Sequence, residues 1–159
     1  MAKASSPVPA GFRTLTPHLV IKGGAADYID FLKRAFNAVE LGRSPGPGGK
    51  LMHVVVRIED SLLMFNDDFP EFGSPPIAEG HWPVTFHIYV LDADALFAQA
   101  TAAGCRVTMP LTDQFWGDRY GQVKDPFGFN WSIGTHIEDL TPEEMAQRQA
   151  AAVGGQPAA

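Results

Sequence analysis

Cysteine is almost absent from this sequence of 159 residues, in which Cys105 is the only one. A single cysteine forms no disulfide within its own chain, and it excludes a metal centre built from several thiolates. No base lies beside it in the sequence to activate it as a nucleophile. We therefore interpret Cys105 as a small apolar residue at the start of a strand.

Long apolar runs are missing as well, since none approaches the roughly 18 residues that a membrane-spanning helix needs. The stretch from Met1 to Gly11 has one lysine and no apolar core, so we expect no secretory signal. Basic residues are outnumbered, with 12 Lys and Arg against 18 Asp and Glu. We expect neither nucleic acid nor membrane as a partner, and we expect a cytoplasmic protein.

Apolar content is sufficient for a core, because 45% of the residues are hydrophobic and only 19% are charged. The length fits one domain of ordinary size or two fused repeats. Two segments favour the repeats, since Thr16–Ile21 and Thr85–Val90 each set one histidine within an apolar run. The offset between the halves stays at roughly 68 to 69 residues, and a fixed period of this kind indicates an internal duplication.

Each half shows the same order of patterns, in which a strand precedes an amphipathic helix and three further strand-like runs. The sequence therefore predicts an α+β fold of two βαβββ repeats, whose curved mixed sheets surround a cavity, plus a C-terminal helix. The predicted boundaries are 12–68 for the first unit, 69–83 for a connector, 84–137 for the second unit, 138–151 for the C-terminal helix, and 1–11 with 152–159 for flexible ends.

Alternation along each strand predicts which side chains face the cavity. In the run that ends at Ile58, Met52 and every second residue after it are apolar and are expected to pack under the helix. This choice leaves His53 and Arg57 directed toward the cavity or the solvent. His53 is a candidate third metal ligand or base, and the alternative is a strand histidine that is merely hydrogen-bonded or solvated.

The segment Phe115–Gly121 concentrates glycines, large aromatic rings and an Asp-Arg pair in seven residues. So much apolar area is costly to expose in an idle loop. We expect Trp116 and Tyr120 to stack on a flat ligand, and Arg119 to hold an anionic or carbonyl oxygen. The alternative is that Trp116 packs at a dimer interface and that the neighbouring charged pair stabilises the loop.

Four motifs together resemble a known superfamily. They are the segments Leu15–Leu19, Gln114–Gly121, Asp125–Gly128 and Trp131–Ile133. With the duplicated βαβββ pattern, they resemble the vicinal oxygen chelate superfamily, which includes glyoxalase I, bleomycin-resistance proteins and extradiol dioxygenases, and more closely its PhnB-like branch. The resemblance covers roughly residues 15–145. Phe129 departs from the branch, which often has histidine after the Asp-Pro-Phe-Gly turn.

The resemblance implies where a metal would be bound. Metal-using members take ligands from the first and last strands of each half, and these places correspond to His18, Met64, His87 and Ser132. The two histidines are present, whereas methionine and serine replace the two carboxylates of glyoxalase I. Two imidazoles alone are a poor site for a divalent ion, so Zn, Ni, Mn or Fe on His18 and His87 would need completion by His53, water or substrate oxygens.

Three functions remain open from the sequence. The first is binding of a small aromatic or amphipathic molecule in the cavity, as in bleomycin-resistance proteins. The second is a divalent-metal-dependent lyase, isomerase or dioxygenase that uses the two matched histidines. The third is a vestigial dimeric scaffold, and the resemblance implies a homodimer in each case. The candidate ligand-binding residues are His18, His53, Arg57, Met64, His87, Tyr89, Trp116, Arg119, Tyr120 and Ser132.

Overall fold

The computed structural model describes residues 8–9, 11–70 and 84–154. Most of the predicted connector lies outside the described residues, as do the outermost parts of the two ends for which flexibility was expected. The chain divides into two compact units, Met1–Gly80 and His81–Ala159, and each is described by itself. Within the described ranges, no helix is long and apolar enough to cross a membrane.

The first unit is a four-stranded mixed sheet with one α-helix and a short 3₁₀ turn at Pro47–Gly49. Its elements are β1 (His18–Ile21), α1 (Ala25–Phe36), β2 (Val39–Pro45), β3 (Leu51–Ile58) and β4 (Ser61–Asp67). The strand order is β1-β4-β3-β2. β1 runs parallel to β4, and the other two pairs are antiparallel.

The second unit repeats this arrangement and adds a terminal helix. Its elements are β5 (Thr85–Tyr89), α2 (Ala93–Ala102), β6 (Arg106–Asp113), β7 (Asp118–Lys124), β8 (Asn130–His136) and α3 (Pro142–Gly154). The strand order β5-β8-β7-β6 matches that of the first sheet, again with one parallel pair. The predicted α+β fold of two βαβββ repeats with a C-terminal helix is therefore confirmed.

One face of the first sheet is covered by α1, whose apolar stripe is buried against it. Val54 and Val56 of β3 are fully buried on this face, as predicted, and Tyr28 of the helix meets Phe65 of β4 edge-on at 5.2 Å between ring centroids. Met52 is 49% exposed instead, which corrects the expectation for it. Ser44 of β2 pairs with His53 of β3, but the next residue of β2, Pro45, pairs with Leu51. Met52 is therefore an extra residue between two paired positions of β3, and this bulge removes it from the alternation.

α1 and α2 are each anchored at the first residue by a side chain from the last strand of the same unit. In the first unit, the Ala25 amide donates to Asp67 Oδ1 over 2.8 Å, and the Leu51 amide donates to Asp67 Oδ2 over 2.7 Å. In the second unit, the Ala93 amide donates to Thr135 Oγ1 over 2.9 Å. The bonds from Ala25 and Ala93 satisfy helix N–H groups that have no partner within the helix. Each of these helices packs on one face of its sheet and does not cover the opposite face.

Candidate functional site

The uncovered face of the first sheet brings together His18, His53 and Met64. The parallel register pairs His18 with Met64, two of the positions at which the resemblance implies metal ligands. His18 Nε2 donates a hydrogen bond of 2.7 Å to Asn66 Oδ1, and the His18 and His53 rings meet edge-on at 5.7 Å. Asn66 was not among the candidates, although it alternates with Met64 along β4.

Arg57 lies farther along the same face and is exposed. Its Nη1 donates to the backbone carbonyl of Glu59 over 2.6 Å, which fixes the guanidinium beside the hairpin between β3 and β4. It belongs to a cavity of about 430 Å³ that also includes Val55 and Leu62. Arg57 therefore lines a cavity of the first unit, and it takes no part in the hydrogen bond between His18 and Asn66.

The uncovered face of the second sheet holds His87 at the place equivalent to His18. The parallel register pairs His87 with Ser132, and their Nδ1 and Oγ atoms are 2.7 Å apart. Ser132 is 2% exposed, so its hydroxyl orients the imidazole from beneath. Burial lowers the pKa of His87, against a smaller opposing effect of the Asp118 charge, and this favours the neutral ring near pH 7.

Aromatic rings surround His87. Its ring lies edge-on to Tyr89 at 4.2 Å between centroids and is stacked on Tyr120 at 5.7 Å, with 17° between the planes. Trp116 lies edge-on to Tyr120 at 5.4 Å. We call His87, Tyr89, Trp116 and Tyr120 the aromatic face. A Cβ at Gly134 would lie 3.2 Å from His87 Cε1, so the glycine makes room for this ring.

Asp118 supports the aromatic face from below and is only 4% exposed. Its Oδ2 accepts hydrogen bonds from the Tyr89 hydroxyl over 2.9 Å and from Trp116 Nε1 over 3.0 Å, and its Oδ1 accepts from His136 Nδ1 over 2.8 Å. Burial by itself would raise the pKa of Asp118, but the bonds from His136, Tyr89 and Trp116 outweigh it and lower this pKa. The carboxylate is therefore ionised, and its charge raises the pKa of Tyr89 through the same hydrogen bond.

Sequence reasoning did not identify Asp118 and His136 as parts of this group. Asp118 was treated only as a possible loop partner of Arg119, although it alternates with Tyr120 and Gln122 along β7. That alternation was the available signal for Asp118 and for Gln122, whose Nε2 donates to the Tyr120 hydroxyl over 2.8 Å. His136 ends β8, and the register pairs it with Asp118.

Arg119 does not join the aromatic face, which corrects the expectation that it would hold a ligand oxygen beside Trp116 and Tyr120. Alternation along β7 turns it to the side covered by α2. Its Nη2 donates to Asp94 Oδ1 over 2.6 Å, and its Nη1 donates to Asp113 Oδ1 over 3.0 Å. Hydrogen bonds to Asp94 and then Asp113 raise the pKa of Arg119. The residue joins α2, β6 and β7.

The described side chains around His18 and His87 do not fit a divalent metal. In the part of the chain that the structure describes, no group of three or more His, Cys, Asp or Glu side chains is close enough to hold one. His18 has Met64 beside it and already donates to Asn66, whereas His87 contacts Ser132. Neither histidine has the carboxylate partner that a site with three or four protein ligands would use. The proposed sharing of one metal by His18 and His87 stays a prediction.

Comparison with known proteins gives the same family as the motifs. Residues 16–133 match the family model described as Glyoxalase/Bleomycin resistance protein/Dioxygenase superfamily. The chain is 48% identical over 135 residues to the uncharacterized protein Mb0911c of Mycobacterium bovis, and the match covers 82% of this chain and 88% of that protein.

Solved structures share the fold. The crystal structure of TioX from Micromonospora sp. ML1 is 27% identical with a TM-score of 0.60, over 77% of this chain and 99% of that chain. A Bacillus cereus protein, described as a putative 3-demethylubiquinone-9 3-methyltransferase, PhnB protein, is 14% identical with a TM-score of 0.64, over 77% and 99% of the two chains. The second likeness shows the fold alone. By the match of its residues 16–133 to the family model, the chain belongs to the Glyoxalase/Bleomycin resistance protein/Dioxygenase superfamily.

Proposed function

We propose that this protein binds a flat aromatic or amphipathic small molecule against the aromatic face of its second unit. The observation that carries the proposal is the group of four rings on one uncovered sheet face, two of which are tied to the buried carboxylate of Asp118. Rings held in this way lose little conformational entropy when a ligand arrives, and such preorganisation favours binding.

The exposure of these rings supports the proposal. Tyr89 is 60% exposed and His87 is also exposed, whereas Trp116 and Tyr120 are half-buried. Contiguous exposed aromatic area is uncommon on a soluble protein without a binding role. A planar ligand can stack on a ring or meet its edge, and each such aromatic pair contributes about 0.5–1.5 kcal/mol beyond the area that it buries.

Polar atoms at the same face would orient the ligand. The Tyr120 hydroxyl accepts from Gln122 and retains its own proton for donation. The imidazole of His87 lies on the same side, with Nδ1 engaged by Ser132 and Nε2 at its other edge. One apolar surface with a few fixed polar groups is the usual composition of a small-molecule site.

A metal-dependent lyase, isomerase or dioxygenase remains the alternative, because members of this superfamily often use divalent metals. The donor sets beside His18 and His87 do not supply its usual ligands, and no observation of the described residues favours it over binding. The vestigial dimeric scaffold also remains a prediction, because no observation of the described residues favours it over binding.

Three finer assignments belong to the proposal. The motifs at Gln114–Gly121 and Asp125–Gly128 support membership of the PhnB-like branch, and the Bacillus cereus structure is compatible with it. We propose a homodimer, since the superfamily is commonly dimeric. We also propose a cytoplasmic location, on the composition of the sequence.

Intrinsic fluorescence titration with a panel of planar aromatic compounds tests the proposed site. We expect saturable binding by at least one compound to the wild-type chain. Tyr120→Leu removes the ring stacked on His87 and should weaken that binding about tenfold, as the loss of one or two aromatic contacts predicts. Trp116→Phe keeps an apolar ring, removes the indole donor and reports how much of the signal comes from this tryptophan.

Val107→Ala is the matched control, because Val107 is an exposed apolar residue on β6 of the same unit, where 38% of it is accessible. It should leave affinity unchanged. Equal affinities in the wild-type protein, Tyr120→Leu and Val107→Ala would contradict the proposed site, and so would a panel in which no compound saturates.

A further inference from the structure

The cavity of about 430 Å³ in the first unit has a wall made by the chain before β1. Gly11, Phe12 and Arg13 form that wall, opposite the uncovered face of the sheet. The Phe12 amide donates to the Pro9 carbonyl over 3.1 Å, and Thr16 Oγ1 donates to the Arg13 carbonyl over 3.0 Å, so this segment is folded into place. The volume lies within the range of small-molecule sites, roughly 300–1,000 Å³.

The floor of the cavity is apolar and is shaped by an irregularity in β2. The register passes from Glu40 opposite Val56 to Gly42 opposite Val55, so Leu41 is an extra residue between them. A bulge of this kind re-aims a side chain, and Leu41 lines the cavity. A Cβ at Gly42 would meet no atom within 4 Å, so the space above this glycine is open.

Two arginines, Arg13 and Arg57, line the same cavity. Among the described residues, neither has a carboxylate within salt-bridge distance. Arg57 uses Nη1 for the Glu59 carbonyl and keeps its other N–H groups. Asp60 is the acidic residue of the cavity, and it accepts a hydrogen bond from its neighbour Ser61. Because the two arginines outnumber this carboxylate, the cavity has an excess of positive charge over an apolar floor.

We propose that this cavity binds an amphipathic carboxylate, with its aliphatic body over Leu41, Val55 and Leu62 and its carboxylate on Arg57 and Arg13. A planar guanidinium matches a carboxylate through paired N–H donors, and the apolar floor takes the chain. The site is made by residues of the first unit and does not rest on the proposed function of the aromatic face. The two proposals can therefore fail separately.

Isothermal titration calorimetry of the full chain with octanoate tests the proposal, and octanamide serves as the uncharged probe. We expect octanoate to bind and octanamide to bind more weakly. Arg57→Gln should weaken octanoate about tenfold or more, because it removes a charge-assisted pair. Gly42→Leu should block octanoate by filling the open space while both arginines remain. Arg106→Gln, an exposed arginine of β6 in the other unit, is the matched control.

A far-UV circular dichroism spectrum and a thermal melt confirm the folding of each variant, and Arg57→Gln keeps the test valid if Gly42→Leu does not fold. The proposal is overturned if Arg57→Gln binds octanoate as tightly as the wild type does. It is also overturned if the wild-type chain does not bind octanoate. Tyr120→Leu should bind octanoate as the wild type does. If Tyr120→Leu lost octanoate binding and Arg57→Gln kept it, octanoate would be bound at the aromatic face, and the proposal for the cavity would be overturned.

Discussion

His136 Nδ1 lies 2.8 Å from Asp118 Oδ1, and this pair joins the end of β8 to the start of β7. The other nitrogen, Nε2, lies 3.0 Å from Asp139 Oδ1. A neutral imidazole has one N–H and can donate to one of these carboxylates, whereas the imidazolium donates to both. The hydrogen bonds to Asp118 and then to Asp139 accordingly raise the pKa of His136.

This pair predicts a pH dependence of stability. Because the folded-state pKa of His136 is above its unfolded value of about 6.5, its contribution is complete below that value and is lost as pH rises through the folded pKa. Urea unfolding from pH 5.5 to 8.5 should therefore show the wild type more stable than His136→Gln at the acid end, with a difference that shrinks as pH rises. A constant difference across this range would contradict the assignment.

Asp118→Asn should destabilise the protein and disturb the aromatic face. The amide keeps one carbonyl acceptor and puts an NH₂ group in place of the other oxygen, so that it faces either the donors Tyr89 and Trp116 or the donor His136. A buried donor left unpaired costs about 1–3 kcal/mol, so we expect the free energy of unfolding to fall by about that amount. Urea denaturation measures it, and near-UV circular dichroism should change because tyrosine and tryptophan lose their fixed partner.

The exposed carboxylate of Asp139 provides the comparison for Asp118→Asn. Asp139→Asn removes one bond of His136 but leaves the buried group intact, so its effect on stability should be small. If Asp139→Asn and Asp118→Asn lowered stability equally, the buried hydrogen bonds would not be the cause.

Metal binding is expected to be substoichiometric. Purified protein offered Zn, Ni, Mn and Fe and then desalted should retain less than one ion per chain, since neither histidine has a carboxylate beside it. Elemental analysis measures the content, and the His18→Ala/His87→Ala double variant is the control. One ion per wild-type chain that the double variant loses would instead establish the histidine pair as ligands and favour the enzyme.

Cys105 should react with thiol reagents only after unfolding. It is 5% exposed, and burial, followed by the charge of Asp125, raises its pKa to about 12. The thiolate is the reactive form of cysteine. In the folded protein the thiol is therefore both inaccessible to the reagent and protonated. Absorbance with a chromogenic disulfide reagent should rise slowly in buffer and rapidly in denaturant. Fast labelling of the folded chain would contradict this burial.

Much of the fold was predictable because the spacing of apolar residues along a segment indicates whether it forms a helix or a strand and which of its sides is buried. The run that ends at Ile58 was predicted as a strand with Val54 and Val56 on the side buried under the helix, and the βαβββ order was predicted for both halves. These features depend on local pattern and repetition, which one sequence contains.

The remaining differences arise from contacts that a local pattern does not record. A bulge displaced Met52 from its predicted side, since a single extra residue shifts the alternation without a signal in composition. Arg119 was assigned to the aromatic face because it neighbours Tyr120 in sequence, although adjacent strand residues point to opposite sides. The donors to Asp118 come from β5, β8 and the loop before β7, and their convergence depends on register.

The side chains that fasten α1 and α2 differ in how much of the backbone depends on each of them. The Asp67 carboxylate accepts from two backbone amides, the first of α1 and the first of β3, whereas the Thr135 hydroxyl accepts from the first amide of α2 alone. One substitution at Asp67 would therefore release the start of a helix and the start of a strand together. The equivalent substitution at Thr135 would release one helix start, so the two repeats differ in how far a single lost side chain is felt.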